Sequence, residues 1–329
     1  MAEPTAAAPV VPTEGAEPPP DGLALPRDFD AGYGEGLQYG LSLGGGGLFF
    51  VAWQTAYLAT LAQHQIDLGG AERVVGTSAG SLVASVLEAG NLKRLRTEVG
   101  LLSKAPKLIG MLAPAGNLHP SQERARDLFF LAEDADPATL RRIGHAALVA
   151  QAPGPWVMAR NVSFILAARR WPSAALHLTC VDAYTGERCV VTQSSGVQIS
   201  RAVAASSAVP GLFTPQPILD RRCMDGGVSG SGTHLDLLAG AAHAVVLCLT
   251  DGSNAERGAM TSSPSAFLEE VAALERAGTK VFHRTPESMD ILTLMDPEAV
   301  PDAIAMGERQ ALADVRELRT FLAGTAATT

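Results

Sequence analysis

The residues best suited to chemistry in this chain are a serine and its small neighbours. Residues 76–80 have the sequence Gly-Thr-Ser-Ala-Gly, with Ser78 at the centre. Where such a serine joins a strand to a helix, the tight turn lifts its hydroxyl out of the sheet. The residues two before and two after it must then be small, and Gly76 and Gly80 meet that need. Backbone N–H groups at the start of the following helix, near Ala79, could bind a developing oxyanion.

The chain around Ser78 supplies the strand, turn and helix that this chemistry needs. We predict a short strand over Arg73–Val75 and a helix over Ala79–Glu88. The alternative is a glycine-rich packing turn in which Ser78 only caps the helix. The strand–turn–helix context favours the nucleophile.

A run of four glycines, Gly44 to Gly47, follows the first predicted strand, Leu37–Leu43. Such a loop lets a ligand approach the backbone and can bind an oxyanion through its N–H groups. Nucleotide-binding patterns match it poorly, because Phe49 stands where the last glycine of a dinucleotide loop belongs and no Lys-Ser/Thr follows. A simple turn needs only one or two glycines, so the loop favours oxyanion binding.

A nucleophilic serine needs a proton acceptor, and the best candidate is Asp225. It ends a predicted strand and opens a glycine turn, Asp225-Gly226-Gly227. The alternative is an aspartate that only bonds its own turn. The histidines fit less well, because too little chain precedes Ser78 for the fold that places a later histidine beside a serine. They are His64, His119, His145, His177, His234, His243 and His283.

The order of elements predicts an α/β fold. Strand, glycine loop, helix, strand, serine turn and helix follow one another, which implies a mainly parallel sheet covered on both faces. Residues 91–172 carry helical patterns and are interpreted as a helical insertion or cap. Strands return from Leu176. Further elements are predicted as a strand at Ala244–Thr250, a helix at Pro264–Phe282, a strand at Ile291–Leu294 and a helix from Pro301.

A hairpin is predicted from Leu176, with its turn centred on Thr185-Gly186. That centre sets Cys189 opposite Asp182 rather than Cys180, and we expect free thiols. No cluster of His, Cys and Asp has zinc or calcium spacing, so no metal or other cofactor is expected.

Composition excludes several protein classes. The chain has 329 residues, 47% of them hydrophobic, a net charge of −9 and 4 cysteines. It is therefore not globally disordered, not a disulfide scaffold and a poor candidate for nucleic-acid binding. Residues 1–35 are predicted to be a disordered tail, since 7 of the 21 prolines lie in the first 30 residues. Residues 36–329 then form one domain.

Two segments bear on membranes. The stretch Gly36–Ile66 is uncharged, but its glycines and polar residues favour a strand and a helix over a transmembrane segment. Residues 91–114 carry five basic groups and one acid among apolar residues. They are a candidate for peripheral membrane contact, although an ordinary cap helix with a solvated basic face is favoured. No secretory signal is evident, so the expected compartment is cytoplasmic.

Taken together, these motifs resemble the patatin-like phospholipases. Leu41–Gly47 is similar to the family's glycine-rich segment and Val74–Gly80 to its serine turn. Ala205-Ser206-Ser207-Ala208-Val209-Pro210 resembles its A-S-x-A-x-P segment, and Asp225-Gly226-Gly227 its Asp-Gly-Gly. All four follow the family's order along the chain.

The resemblance implies a three-layer α/β/α fold and a Ser78–Asp225 dyad without histidine. Backbone N–H groups of Gly45, Gly46 and Gly47, with Ala79, would hold the oxyanion. The activity implied is hydrolysis of acyl esters in lipids, with a lipid or acyl ester as the partner and without a metal. One departure is that Phe49 and Phe50 replace the family's basic residue and glycine. This departure keeps open an inactive lipid- or protein-binding module on the same fold. A transacylase that uses Ser78 is a further alternative.

Overall fold

The computed structural model describes residues 22–104, 118–252, 265–290 and 293–326. Its strands are β1 (Tyr39–Leu43), β2 (Arg73–Gly76), β3 (Leu176–Asp182), β4 (Arg188–Val191), β5 (Gln216–Ile218), β6 (Arg221–Asp225), β7 (His243–Leu247) and β8 (Lys280–Arg284). Its helices are α1 (Gly47–Gln63), α2 (Ala79–Glu88), α3 (Leu92–Leu102), α4 (Pro120–Phe130), α5 (Pro137–Val149), α6 (Pro155–Leu166), α7 (Ile199–Ser206), α8 (Ala266–Arg276) and α9 (Val300–Ala326).

The sheet is mainly parallel, as predicted. The order β8-β7-β1-β2-β3 joins five parallel strands. Strands β4 and β6 then pair antiparallel with β3, and β5 pairs antiparallel with β6. Because β1 and β2 are parallel neighbours, the loops that follow them emerge at the same edge of the sheet.

Helices cover both faces of the sheet, which confirms the three-layer α/β/α prediction. Along β7, Val245 and Leu247 face the core beneath α1, α2 and α9, whereas Ala244 and Val246 face the core beneath α8. This alternation follows from the two-residue period of a strand. Within the described residues, no helix is long and apolar enough to cross a membrane.

Residues 91–172 contain helices α3 to α6 in their described parts; residues 105–117 lie outside the description. Helices α4 and α5 cover the end of the sheet, where Phe129 and Ile143 pack against Val181 of β3 and Met224 of β6. Helices α3 and α6 instead face α1 and α2, and so lie beside the serine turn.

Residues 22–35 differ from the predicted tail. Leu23 is buried, and its carbonyl accepts from the Val190 amide at 2.9 Å while the Leu25 amide donates to the Arg188 carbonyl at 3.0 Å. The segment thus forms a β-bridge with the free edge of β4. The apolar Leu23 and Leu25 favour an ordered segment more strongly than the prolines around them oppose it. Residues 1–21 lie outside the described residues.

Two other local predictions were wrong. The helix predicted through Phe282 ends at Arg276, because Gly278 takes a left-handed φ of 88° and stops it, and β8 begins at Lys280. The strand predicted at Ile291–Leu294 is absent where the structure describes it: Thr293 is in 3-10 helical conformation, Leu294 lies in a turn, and residues 291–292 lie outside the description.

The predicted hairpin register was also wrong. Cys189 pairs with Cys180 and not, as predicted, with Asp182. The Asp182 amide donates to the Glu187 carbonyl at 2.9 Å, which places the centre of the turn one residue earlier than predicted. All four cysteines nevertheless carry free thiols.

Helix α9 is fastened to α1 by buried polar contacts. The Trp53 indole donates to the Gln310 side chain at 2.9 Å, and the Tyr57 hydroxyl donates to Asp314 at 2.7 Å. Arg284 of β8 pairs with the same Asp314 carboxylate. One buried carboxylate therefore joins the helix that follows the glycine loop, the last helix and the edge of the sheet.

We predict that Asp314→Ala lowers the free energy of unfolding by about 3–5 kcal/mol, because it leaves Tyr57 and Arg284 without their partner. Chemical denaturation measures this loss. Glu317→Ala, exposed on the same helix, is the matched control and should change the free energy by less than about 0.5 kcal/mol. Equal stability of the two variants would contradict this role for Asp314.

Candidate active site

Strands β2 and β6 approach each other along one side of β3. Leu178 of β3 pairs with Gly76 of β2 on one side and with β4 on the other. Cys180 of β3 pairs with Asp225 of β6 and again with β4. Because β4 occupies the opposite side throughout, β2 and β6 must share the remaining side. Strand β2 ends beside Leu178 and β6 ends beside Cys180, with Thr179 between these two residues. The serine turn after β2 therefore lies next to Asp225.

Ser78 occupies a strained turn between β2 and α2. Its φ is 50° and its ψ is −119°, a conformation that residues other than glycine rarely adopt. Its side chain makes no capping hydrogen bond to α2. The alternative of a helix-capping serine therefore does not hold, and the hydroxyl is not used by the helix.

The two glycines that flank Ser78 are required by packing. A Cβ on Gly80 would lie 1.8 Å from the carbonyl oxygen of Leu43 and 2.7 Å from that of Gly44. A Cβ on Gly76 would lie 2.8 Å from the Ser81 Cα. No L side chain fits at such distances from backbone atoms. The sequence argument for small residues at these positions therefore matches the packing.

Neighbouring hydroxyl groups hold the backbone of Ser78. Its amide donates to the Ser206 hydroxyl at 3.0 Å. Its carbonyl accepts from the Ser81 hydroxyl at 2.6 Å and from the Ser207 hydroxyl at 3.1 Å. These bonds fix both peptide groups of a residue whose backbone is strained, which only a surrounding structure can maintain.

Threonines set the distance between the two halves of the site. The Thr77 and Thr179 hydroxyls are 2.8 Å apart and share a hydrogen bond. Gly226, directly after Asp225, lies so close to Thr179 that a Cβ there would be 2.5 Å from its hydroxyl oxygen. Thr179 thus contacts the serine turn and the aspartate turn at once.

The glycine loop presents some of the predicted amides and not others. The Gly44 amide donates to the Leu247 carbonyl at 2.9 Å, and the Gly45 amide donates to the Gly232 carbonyl at 3.2 Å. Gly45 is therefore already engaged, contrary to its predicted role as an oxyanion donor. Among the described residues, the amides of Gly46, Gly47 and Ala79 have no acceptor. They stand at the N-termini of α1 and α2, beside Ser78.

The two aromatic residues that follow the glycine loop by one position belong to the core in this chain. Phe49 and Phe50 are buried, and the Phe50 ring stacks on Trp53 with centroids 5.2 Å apart. Trp53 in turn stacks on Tyr57 at 5.1 Å. The two phenylalanines therefore stabilise α1 directly behind the glycine loop.

Asp225 is buried, and its two oxygens differ. Oδ1 accepts from the Gly227 amide at 2.8 Å, which is the turn role anticipated as an alternative. Oδ2 has no hydrogen-bond partner among the described residues. Burial raises the pKa of Asp225 to about 6, and the nearby Ser78 hydroxyl and the Gly227 amide partly offset that rise. One oxygen therefore orients the carboxyl group and the other is available to accept a proton.

The A-S-x-A-x-P segment connects the two turns. The Asp225 amide donates to the Ala208 carbonyl at 3.0 Å, two residues after the serine that holds the Ser78 amide. Pro210 is buried at the end of this segment. One stretch of chain thus holds the backbones of both Ser78 and Asp225.

Histidines do not join this arrangement. None of the seven, all of which are described, lines either cavity at Ser78. Burial lowers the pKa of His177 to about 4, and burial beside Arg188 holds the pKa of His234 well below its usual range. In the described part of the chain, no three His, Cys, Asp or Glu side chains converge closely enough to hold a metal ion.

Two cavities adjoin Ser78. The base chamber, of about 150 Å³, has Asp225, Thr233, Leu249 and Phe267 in its wall. The cap chamber, of about 240 Å³, is bounded by α1, α2, α3, α6 and α7. Ser78 and Gly47 line both cavities, so Ser78 lies at their junction.

Several positioning residues were missed by the sequence analysis. Ser206 and Ser207 lie in a segment that it quoted, but without a role. Thr77 and Thr179 gave no signal, because a threonine in a strand is ordinary. Their function depends on a strand pairing that no local pattern reveals.

The fold is an α/β/α sandwich with a glycine-rich loop and a strained serine turn at the same edge of a parallel sheet. The family model of the patatin-like phospholipases matches residues 41–238. That range is more than half of the chain, and the chain belongs to this family.

Two solved structures show limited similarity to this chain. One is the type III effector protein ExoU, at 16% identity and a TM-score of 0.30, covering 83% of this chain and 53% of that one. Another is VipD from Legionella pneumophila, at 12% identity and a TM-score of 0.37, covering 85% of this chain and 66% of that one. The chain thus matches about half to two thirds of their length.

Gly80→Ala should abolish the function of the serine turn, because the new Cβ must push α2 away from the end of β1. We expect Ser78 to react with a fluorophosphonate at least about 100-fold more slowly. Gly70→Ala is the matched control, since no atom lies within 4 Å of its Cβ position. Equal labelling rates in the two variants would contradict the packing argument.

Ser206→Ala should slow labelling of Ser78 by about 10- to 100-fold, because the Ser78 amide loses its acceptor and the turn can relax. The free energy of unfolding should fall by only about 1–3 kcal/mol. Ser200→Ala, on the same helix, serves as the control for both measurements. A labelling rate like that of the wild type would show that Ser206 does not position the nucleophile.

Proposed function

We propose that this protein is a serine hydrolase that cleaves acyl esters of lipids through Ser78 and Asp225. The observation that carries the proposal is the meeting of β2 and β6 on one side of β3. It sets Ser78, whose hydroxyl makes no capping bond to α2, beside the buried Asp225 carboxylate, whose Oδ2 meets no hydrogen-bond criterion with any described residue. Family membership supports the lipid substrate class.

In the first half of the reaction, the Ser78 oxygen attacks the ester carbonyl carbon while Oδ2 of Asp225 takes the hydroxyl proton. The carbonyl oxygen becomes an oxyanion, which the amides of Gly46, Gly47 and Ala79 stabilise together with the positive ends of two helices. When the tetrahedral intermediate collapses, the ester C–O bond breaks. The alcohol leaves with the proton from Asp225, and the acyl group stays on Ser78.

In the second half, water replaces the alcohol. Asp225 takes a proton from the water, the resulting oxygen nucleophile attacks the acyl carbon, and a second oxyanion forms in the same place. Its collapse returns the proton to Ser78 and releases the carboxylic acid. A transacylase would differ only in using an acceptor alcohol in place of water, so the same residues serve that alternative.

The proposal includes peripheral membrane contact through residues 91–114, but with fewer basic groups than the sequence suggested. Arg94 donates to the Ile165 carbonyl, and Arg96 pairs with Glu308. Lys93 and Lys104 are exposed on α3 and just beyond it. Residues 105–114 lie outside the description. Two of the basic groups thus serve internal contacts, which leaves fewer to attract an anionic lipid surface.

Ser78→Ala and Asp225→Asn should each lower kcat/KM for a p-nitrophenyl ester by at least about 1,000-fold, because nucleophile and base act as a unit. Variants of the seven histidines should keep their activity. Loss of activity in a histidine variant, with Asp225→Asn still active, would overturn the dyad. A wild-type protein that neither hydrolyses esters nor reacts with a fluorophosphonate would instead support the inactive binding module.

The pH dependence of kcat/KM should follow Asp225. Only the ionised carboxylate can accept a proton, so the rate should fall about tenfold per pH unit below its pKa of about 6 and level off above it. Initial rates measured between about pH 4.5 and 8 test this. A profile governed by a group of ordinary carboxylate pKa, near about 4, would show that the catalytic base is not this buried aspartate.

A further inference from the structure

Glu270 of α8 lies in the wall of the base chamber but takes no part in the proposed reaction. Its side chain is only 2% exposed. Burial raises the pKa of its carboxyl group, and the Arg27 guanidinium, with hydrogen bonds from Ser231 and Leu235, partly offsets that rise. A carboxylate so deeply buried is unfavourable unless it is paired and hydrogen-bonded. Its contacts therefore indicate what it holds in place.

One oxygen of Glu270 holds residues 231–235, which we call the support loop. The Thr233 hydroxyl donates to Oε2 of Glu270 at 3.2 Å, and the Leu235 amide donates to the same oxygen at 3.4 Å. Thr233 and Leu235 are themselves buried. Glu270 thus binds the support loop at one side chain and at one backbone group.

The support loop in turn contacts the glycine loop. The Gly45 amide donates to the Gly232 carbonyl at 3.2 Å. The Ser42 hydroxyl, near the end of β1, donates to the Thr233 carbonyl at 2.7 Å. Gly46, the next residue of the glycine loop, supplies one of the amides proposed to bind the oxyanion. A displacement of the support loop would therefore displace that amide as well.

Arg27 supplies the charge that the buried carboxylate needs. Its Nη2 donates to Oε1, the other oxygen of Glu270, at 2.6 Å, and its own side chain is 37% exposed. Arg27 belongs to residues 22–35, the segment that docks on β4. Other contacts also hold this segment, because Arg188 donates to the carbonyls of Leu25 and Pro26, each at 2.8 Å. The docking of the segment can thus be tested separately from the pairing of Arg27 with Glu270.

We propose that Glu270 is a positioning residue for the oxyanion site. It fixes the support loop and, through it, the glycine loop, while Arg27 compensates its charge. Arg27 and Glu270 lie on either side of residues 41–238, the range that the family model matches. The role rests on the proposed function and adds to it that the segment at residues 22–35 raises the rate through one ion pair.

Glu270→Ala removes the acceptor of the support loop without changing the oxyanion amides. We expect kcat for p-nitrophenyl butyrate to fall about 10- to 100-fold, because small displacements of catalytic groups slow a reaction by that much. KM should stay within about twofold, since the oxyanion forms only after the ester has bound. Glu275→Ala, exposed on the same helix, is the matched control and should behave like the wild type. A wild-type kcat in Glu270→Ala, or a loss confined to KM, would overturn the proposal.

Arg27→Ala leaves the carboxylate buried without its charged partner. We expect Ser78 to react with a fluorophosphonate at least about tenfold more slowly. The double variant Arg27→Ala, Glu270→Gln keeps an acceptor for Thr233 but has no charge to compensate, so the rate should return to within about threefold of the wild type. Arg276→Ala, exposed at the end of α8, is the control for loss of an arginine.

The double variant separates the ion pair from the docking of the segment. If Arg27 acted only by docking residues 22–35 on β4, both variants would be slowed equally. A double variant as slow as Arg27→Ala would therefore overturn the role of the pair. Thermal unfolding accompanies each measurement, and if Glu270→Ala does not fold, the comparison of Arg27→Ala with the double variant tests the proposal by itself.

Failure of the proposed function would look different. In that case the wild type would not hydrolyse p-nitrophenyl butyrate and Ser78 would resist a fluorophosphonate, which would refute the positioning role with it. An active wild type, with unchanged rates in Glu270→Ala and Arg27→Ala, would leave the dyad intact and refute only the positioning role.

Discussion

The site depends on one strand, β3, accepting two partners end to end on the same side. Strand β2 pairs with its first half and β6 with its second, and Thr179 lies between their pairing residues. Without this arrangement, Ser78 and Asp225 would belong to distant parts of the sheet. The register of β3 therefore decides the distance between Ser78 and Asp225, and small residues on both turns allow the close approach.

This geometry conflicts with local stability at several points. Ser78 has a positive φ, one oxygen of the buried Asp225 has no hydrogen-bond partner in the part of the chain that the structure describes, and the turns tolerate no Cβ at Gly80 or Gly226. Each feature is unfavourable by itself, and together they concentrate strain at the candidate active site. The compensation lies behind the site, in the stacked rings of Phe50, Trp53 and Tyr57 and in the polar contacts of α9.

Much of this architecture could be predicted from the sequence. The βαβα order, the glycine loop and the serine turn are local signals, because each requires particular small residues next to each other. Asp225 was a weaker inference, since an aspartate before two glycines is common in turns; its Oδ1 indeed has that role. The resemblance to a family, rather than the residue itself, singled it out.

What could not be predicted depends on contacts between distant residues. The engagement of the Gly45 amide by Gly232, the Thr77–Thr179 contact and the docking of Leu23 on β4 all join parts far apart in the chain. The errors at β8 and at the hairpin have local causes, a glycine that ends a helix and a turn displaced by one residue. Their signals were present at Gly278 and in the hairpin sequence, but weaker than the competing patterns.

The most direct test of the account is a crystal structure of the protein after reaction with an alkyl fluorophosphonate, whose phosphoryl oxygen stands in for the oxyanion. The account predicts phosphorus bonded to the Ser78 oxygen and a phosphoryl oxygen within about 3 Å of the amides of Gly46, Gly47 and Ala79. The carboxylate of Asp225 should face the adduct. An adduct on another serine, or a histidine rather than Asp225 facing the bonded oxygen, would contradict the dyad.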